Sequence, residues 1–350
     1  MNNKLVSIII PIYNPGIYIK KTLDSICKQS YKNIEVLLID DGSTDNSFDY
    51  IKNIINSDNR VFYYKKENGG VCSARNYGIK KAKGDYIFFS DDDDEIHEDT
   101  IEALVNKLGK SDGDFIKYSV DYIMQDYNDE YSINDYYLDE IELTRDQIKD
   151  YYLYLYKRGA FVFIWNGLYK RDYLLSNNIF FDDTRRYSVD DKYFNQLLFK
   201  NSNKFMLSNF VGYRHISRLG QSDATKLNLN KSKISLPPFF NLEYETARLL
   251  NVDYDIYNQI FSKNIGVLYW ELSIKNANYR AKERIDAIRT IRNELVFIDN
   301  IKICKNLPIF NKIVLFLFIK KMDYLCYYSF VLFRVLTGSI NNSRPSNRHK

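Results

Sequence analysis

The run Asp91-Asp92-Asp93-Asp94-Glu95 offers more chemistry than any other stretch of this chain. Clustered carboxylates repel one another, and the arrangement becomes favourable when a divalent cation sits among them and a diphosphate covers it. A cation so placed neutralises the diphosphate and stabilises it as a leaving group. The spacing lacks the glycine and the terminal glutamate of an EF-hand loop, and an acidic run alone equally suits a solvated turn. A second acidic pair, Asp190-Asp191, sets two carboxylates side by side, where each hinders the other's ionisation. The same pair also suits a helix start. Gly69-Gly70 fits neither GxGxxG nor GxxxxGK[ST], so neither a dinucleotide fingerprint nor a P-loop is present there. Trp165 offers an indole face of the kind that packs on a sugar ring, and His215 an imidazole that can ligate a metal; each residue type is also common in a structural role.

The elements that must position these residues alternate. Residues 5–12, LVSIIIPI, read as a buried parallel strand. Ile19, Leu23 and Ile26 at helical spacing predict a crossover helix within 16–29. A second strand, Ile34–Ile39, closes on the turn Asp40-Asp41-Gly42-Ser43, and a helix opening near 44–47 leads to a third strand at Val61–Lys65. A helix at about Cys72–Ala82 precedes a fourth strand, Asp85–Phe89. This order predicts an α/β fold, a mostly parallel sheet flanked by helices. Such sheets bind ligands beyond the strand C-termini. The polar clusters Tyr13-Asn14, Asp40-Asp41, Asn68-Gly69-Gly70 and Asp91–Asp94 all fall there, converging on one crevice.

Residues 113–235 read as mixed short strands and helices, and Pro237-Pro238 reads as a break that opens a helical appendage. The expected organisation is a catalytic domain at 1–235, with a donor half at about 1–110 and an acceptor half at about 111–235, followed by a helix-rich region at 236–350. Residues 1–200 carry a net charge of −8 and residues 201–350 a net +12, within a total of +4. The acidic front half argues against a nucleic-acid surface, and the basic rear half suits an anionic membrane or substrate. IFNKIVLFLFI and YLCYYSFVLFRVL, within 309–336, are too short to span a bilayer and suit an interfacial amphipathic pair or helices packed on the domain. The polar tail after Gly338 is expected to be loose. Cys27, Cys72, Cys304 and Cys326 show no metal spacing and read as free thiols. The N-terminus has no signal-peptide pattern, so the expected location is cytoplasmic, with peripheral contact at the inner membrane face.

The ordered segments VSIIIPIYN (6–14), EVLLIDDGSTDNS (35–47), NGGVCSARNYGIKKAKGDYIFF (68–89) and SDDDDEI (90–96) resemble family 2 glycosyltransferases with the GT-A fold, of the bacterial cell-surface polysaccharide type. The likeness continues through WNGLYKRDYLL (165–175), VDDKYF (189–194) and YRHISRLGQSD (213–223), about two-thirds of the chain. The resemblance implies an inverting transfer of a sugar from a UDP-sugar to a hydroxyl of a growing glycan or lipid-linked saccharide, assisted by Mn2+ or Mg2+. Sugar transfer to polyprenyl phosphate and a non-catalytic nucleotide-sugar-binding module stay open beside it. It also implies that Pro11, Tyr13 and Asn14 line the nucleoside pocket, that Asp41 holds uracil or ribose, and that Arg75 and Asn76 buttress the base and the acidic loop. Asp91 and Asp92 would contact ribose or donor sugar, and Asp93 would ligate the metal with His215 completing its shell. A one-residue slip would promote Asp94, which is read as a supporting residue or helix cap. Asp191 aligns with the family's catalytic base, and Trp165, Asn166 and Asp190 would border the acceptor. Val189 stands where the family commonly has Gly, and Asp190 where it commonly has Glu.

Overall fold

The structure is a computed structural model that describes residues 4–125, 130–133, 136–183, 189–218, 229–274, 279–301, 303 and 307–336. Cys304, residues 219–223 of the last resembling segment, and the tail after Gly338 lie outside the described residues. The chain divides into two compact units, Met1–Asp223 with Thr246–Asn251, and Ala224–Glu245 with Val252–Lys350.

In the first unit, strands β1 (Val6–Ile12), β2 (Ile34–Asp40), β3 (Val61–Lys65) and β4 (Tyr86–Phe89) pair in parallel in the order β3-β2-β1-β4. Every residue of β1, β2 and β4 is buried, as expected of strands covered on both faces. The crossover helices are α1 (Tyr18–Cys27), α2 (Ser47–Ser57) and α3 (Val71–Lys81). Ile8, Ile10, Ile19, Leu23 and Leu38 share one core cluster. The chain leaves β1 toward β2 and β3 and returns to β4 on the other side, so the strand order reverses between β1 and β4. That is where open α/β sheets form their ligand crevice. A Cβ on Gly78 of α3 would meet Ile9 Cγ2 at 2.4 Å, so glycine there lets the helix backbone sit directly on β1.

Beyond β4 the sheet becomes mixed. Strand β5 (Glu95–Ile96) and helix α4 (Thr100–Ser111) precede β6 (Phe115–Gln125), β7 (Glu130–Ile133) and β8 (Ile141–Thr144). Helix α5 (Ile148–Lys157), β9 (Gly167–Lys170), α6 (Arg171–Ser176), α7 (Asp190–Asn201) and β10 (Lys204–Arg218) follow. The sheet continues β4-β9-β6-β10-β5, with β9 antiparallel to both neighbours and β10 parallel to β6. Long β10 shifts register twice between Ser208 and Tyr213, so its first part pairs with β8 and its later part with β5. Bulges of this kind re-aim the side chains that follow them, here those of Tyr213 and His215.

The second unit is helical, with α8 (Leu229–Leu249), α9 (Tyr254–Ile274), α10 (Ala281–Asn293), α11 (Ile309–Ile319) and α12 (Asp323–Leu336). Pro237 and Pro238 lie inside α8, so the expected break is corrected: the helix runs through them. Burial of Leu236, Phe239, Phe240 and Leu242 around the two prolines offsets the lost backbone hydrogen bonds. Helices α11 and α12 pack on each other and on α9 through Val314, Leu315, Phe318 and Cys326. Among the described residues, no helix is long and apolar enough to cross a membrane.

Candidate active site

The crevice is assembled by loops that hydrogen-bond to one another. Asn14, in the left-handed region that asparagine tolerates (φ 55°), accepts from Thr44 N and Asp45 N at 2.8 and 3.2 Å and donates its own N–H to Ser43 Oγ. Tyr13, 54% exposed, donates its backbone N–H to Asp92 Oδ2 at 3.2 Å. Pro11 is buried within β1. Asp41 is 3% exposed and accepts from Lys66 Nζ (2.6 Å), Gly69 N (2.9 Å) and Gly70 N (2.6 Å). Gly70, at φ 87° and ψ 164°, takes a conformation that side chains disfavour, and this lets its N–H point at Asp41 just before α3 begins. Asp41 thus holds the Gly69-Gly70 turn in place.

The acidic loop is braced from β10. Tyr213 OH accepts from Asp91 N (3.0 Å) and donates to Asp94 Oδ2 (3.1 Å). Asp94, fully buried, also takes His215 Nδ1 at 2.8 Å and Ile216 N at 3.0 Å. It caps no helix, since α4 opens at Thr100 behind Asp99. Burial alone would lower the proton affinity of His215, but the hydrogen bond and charge of Asp94, with Asp91 and Asp93, more than offset it and the net shift is upward. Burial, with repulsion from Asp94, Asp191 and Asp93, raises Asp91 to about 6 against the opposing pull of Arg75. Asp92 is pushed well up by burial and by Asp93.

Arg75 joins this loop to α7. Its guanidinium, 7% exposed, donates to Asp91 Oδ1 at 3.0 Å and to Asp191 Oδ1 at 2.8 Å, and its Nε has no partner among the described residues. The two carboxylates, a hundred residues apart in the chain, thus face one cation. Asp190 is raised to about 6, by burial first and by Asp191 among its neighbours.

Three of the expected site residues are turned into the interior. Asn76 spends its side-chain amide on two hydrogen bonds with the backbone of Phe181, at 2.8 and 2.9 Å. Trp165, 2% exposed, stacks on Phe163, Tyr213 and His215 with centroids 4.4, 4.4 and 5.0 Å away, so its indole backs the acidic loop's braces and offers no face to an acceptor. Asn166, also 2% exposed, is turned inward to accept from Lys117 Nζ at 3.1 Å. Ring stacking holds Trp165 inside, and buried Lys117 holds Asn166.

Residues that the sequence reading passed over carry part of the site. Lys66 directly follows β3 and pairs with Asp41; its place at a strand end was the available signal. Buried Lys117 has four oxygens around its Nζ, Phe163 O, Asn166 Oδ1, Tyr169 OH and Asn195 Oδ1, at 2.6 to 3.1 Å, among which its three N–H bonds are shared. Nothing in a strand pattern marks a lysine as buried. A hollow of about 270 Å3 lies beside the loops that follow β1 and β2, lined by Ile12, Asp40, Ser43, Asp45, Phe48 and Tyr63 among others, and none of Arg75, Asp91–Asp94, Asp191 or His215 borders it. Among the described residues, no three His, Cys, Asp or Glu side chains gather closely enough to hold a metal alone.

The sheet, parallel from β3 to β4 and mixed beyond, with an acidic loop at its switch point, has the expected GT-A fold. A sequence model of Glycosyl transferase family 2 matches residues 7–175. The chain is 31% identical over 232 residues to glycosyltransferase GlyG of Streptococcus pneumoniae serotype 4, covering 65% of this chain and 76% of the relative. An uncharacterized glycosyltransferase of Haemophilus influenzae is 50% identical over 107 residues, covering 30% of this chain and 43% of that protein. The crystal structure of S. aureus TarS 1-349 in complex with UDP-GlcNAc matches with a TM-score of 0.69 at 18% identity, covering 95% of this chain and 92% of that one. The chain belongs to glycosyl transferase family 2.

Proposed function

We propose that this glycosyltransferase moves a sugar from a nucleoside-diphosphate donor, of the UDP-sugar class, to a hydroxyl of a growing glycan or lipid-linked saccharide with inversion. The observation that carries the reading is Arg75, which draws Asp91 of the acidic loop and Asp191 of α7 to one guanidinium. Tyr13 is exposed and has a ring suited to stacking on the nucleobase, and Asp91 and Asp92 are at hand for ribose and donor sugar. The likeness to TarS, which was crystallised with UDP-GlcNAc, agrees with a nucleotide-sugar donor.

Asp191 takes the proton from the acceptor hydroxyl as its oxygen attacks the anomeric carbon. Asp190 beside it, half-buried and raised toward neutrality, borders the same place.

A divalent ion fits the chemistry of the loop. Asp94 occupies His215 Nδ1 and so fixes the ring, leaving Nε2 as the ligating nitrogen, the usual arrangement for a carboxylate-oriented metal histidine. Asp93 and His215 would hold Mn2+ or Mg2+, with diphosphate oxygens and water supplying the remaining ligands, as suits a site without three protein donors. Bound there, the ion neutralises charge on the departing diphosphate. The test is a thermal-shift screen of nucleotide sugars with and without metal, followed by transfer assays. Stabilisation by a UDP-sugar only with metal supports the reading; no response to any nucleotide sugar would overturn it.

A further inference from the structure

We infer that the outward face of the α11–α12 hairpin is a docking surface for an anionic lipid bilayer. Each helix buries one side and leaves an apolar stripe outside. On α11 the stripe is Ile309, Ile313 and Phe316, exposed by 77, 47 and 43%; on α12 it is Tyr324, Tyr328 and Leu332, exposed by 56, 52 and 58%. The spacings of three and four keep each stripe on one helix face. The opposite sides, Val314, Leu315 and Phe318 on α11 and Cys326 and Tyr327 on α12, are buried, so the exposed residues are not the core seam of the hairpin.

Charge identifies the occupant. The turn between the helices presents Lys320, Lys321 and Met322 to solvent, with Lys321 in the left-handed region at φ 60°. Residues 309–336 contain a single acid, Asp323, which is 4% exposed and paired to Arg292 and Arg289. No acidic side chain therefore faces outward from this hairpin. The following residues, 337–350, add Arg344, Arg348 and Lys350 and no acid. Large apolar side chains and tyrosines beside lysines that reach past them are the composition of an interfacial surface, and helices of 11 and 14 residues lie on a membrane rather than cross it. A second copy of the chain would bring lysines against lysines, whereas anionic headgroups neutralise them. The inference extends the proposed function, since such a surface would bring the enzyme to an acceptor carried on lipid.

The test is co-sedimentation of the full chain with vesicles of phosphatidylcholine alone or mixed with phosphatidylglycerol. Binding is expected to the anionic vesicles and to weaken at high salt. Lys320→Gln and Lys321→Gln, at the solvent-exposed turn, should each weaken it about fivefold, the equivalent of about 1 kcal/mol per lysine. Phe316→Glu and Leu332→Glu should weaken it more, with unchanged thermal unfolding and unchanged nucleotide-sugar binding. Those last two readouts separate this inference from the proposed reaction. Absence of binding to anionic vesicles overturns it. So does a dimer that Phe316→Glu dissociates while vesicle binding persists, because the face would then belong to a second copy.

Discussion

The two halves of the sheet are built on different interiors. Around β1 and β2 the packing is largely aliphatic, with Ile8, Ile10, Val36 and Leu38 fully buried, and the chemistry hangs on loops beyond the strand ends. Around β6, β9 and β10 the interior is aromatic and polar. Phe115, Tyr169, Phe194 and Phe205 interlock there, and Lys117, Ser119, Asn195 and Ser208 are buried with them. In that half the interior and the site are one network: Trp165 backs Tyr213 and His215, and Lys117 grips Asn195 on the helix that begins with Asp190 and Asp191. Damage to the first interior should lower stability and spare chemistry, whereas damage to the second should reach both.

The sharpest break of that contrast is at Asp191. Asp191→Asn should lower kcat roughly 10²–10⁴-fold while nucleotide-sugar binding, read by thermal shift, stays near that of the unaltered protein. A mild effect would point to an acceptor whose attacking oxygen needs no base, such as a phosphate. Next in size, chelation of divalent ions, or Asp93→Asn, should lower transfer by at least about 10²-fold, in keeping with several kcal/mol of charge stabilisation. Mn2+ or Mg2+ should restore the chelated protein, and full activity in chelator would remove the metal from the scheme.

Two interior substitutions test the contrast directly. Leu23→Ala, in the aliphatic half, should cost about 2–5 kcal/mol of stability yet leave kcat of the folded protein within about a factor of two. Lys117→Met should cost about 3 kcal/mol by stranding buried acceptors and, through α7, also reduce kcat. Equal retention of kcat in both variants would erase the distinction. The smallest effect is expected at Asp58, which hydrogen bonds to Arg60 hold down to about 2. Because its folded value lies below the unfolded value of about 4, its contribution is present above pH 4 and lost as pH falls toward 2. Asp58→Asn should therefore flatten the decline of Tm in that window.

The same contrast explains what could be read in the sequence. Strands β1, β2 and β4 are legible because residues buried on both faces form unbroken apolar runs, and each run stops where a polar loop begins; β3, largely unburied, nonetheless has the ends Val61–Lys65 that the sequence predicts. Arg75 was seen as a buttress, but its bond to Asp191 crosses 116 residues and depends on packing that no local pattern encodes. Trp165 was offered to an acceptor because its type suits a sugar, and only the three rings around it reveal that both its position and its duty are internal. Pro237 and Pro238 were read as a stop because proline opposes helix locally, and tertiary burial overrode them.

The bond set of Asp94 has a practical corollary. The stretch recognised as family signature ends at residue 175, but the partners that anchor this aspartate, Tyr213, His215 and Ile216, arrive only with the last strand of the first unit. An expressed fragment stopping at the signature would keep all four strand-end loops and strand a buried carboxylate in their midst. The minimal piece worth producing for ligand studies therefore extends at least through β10.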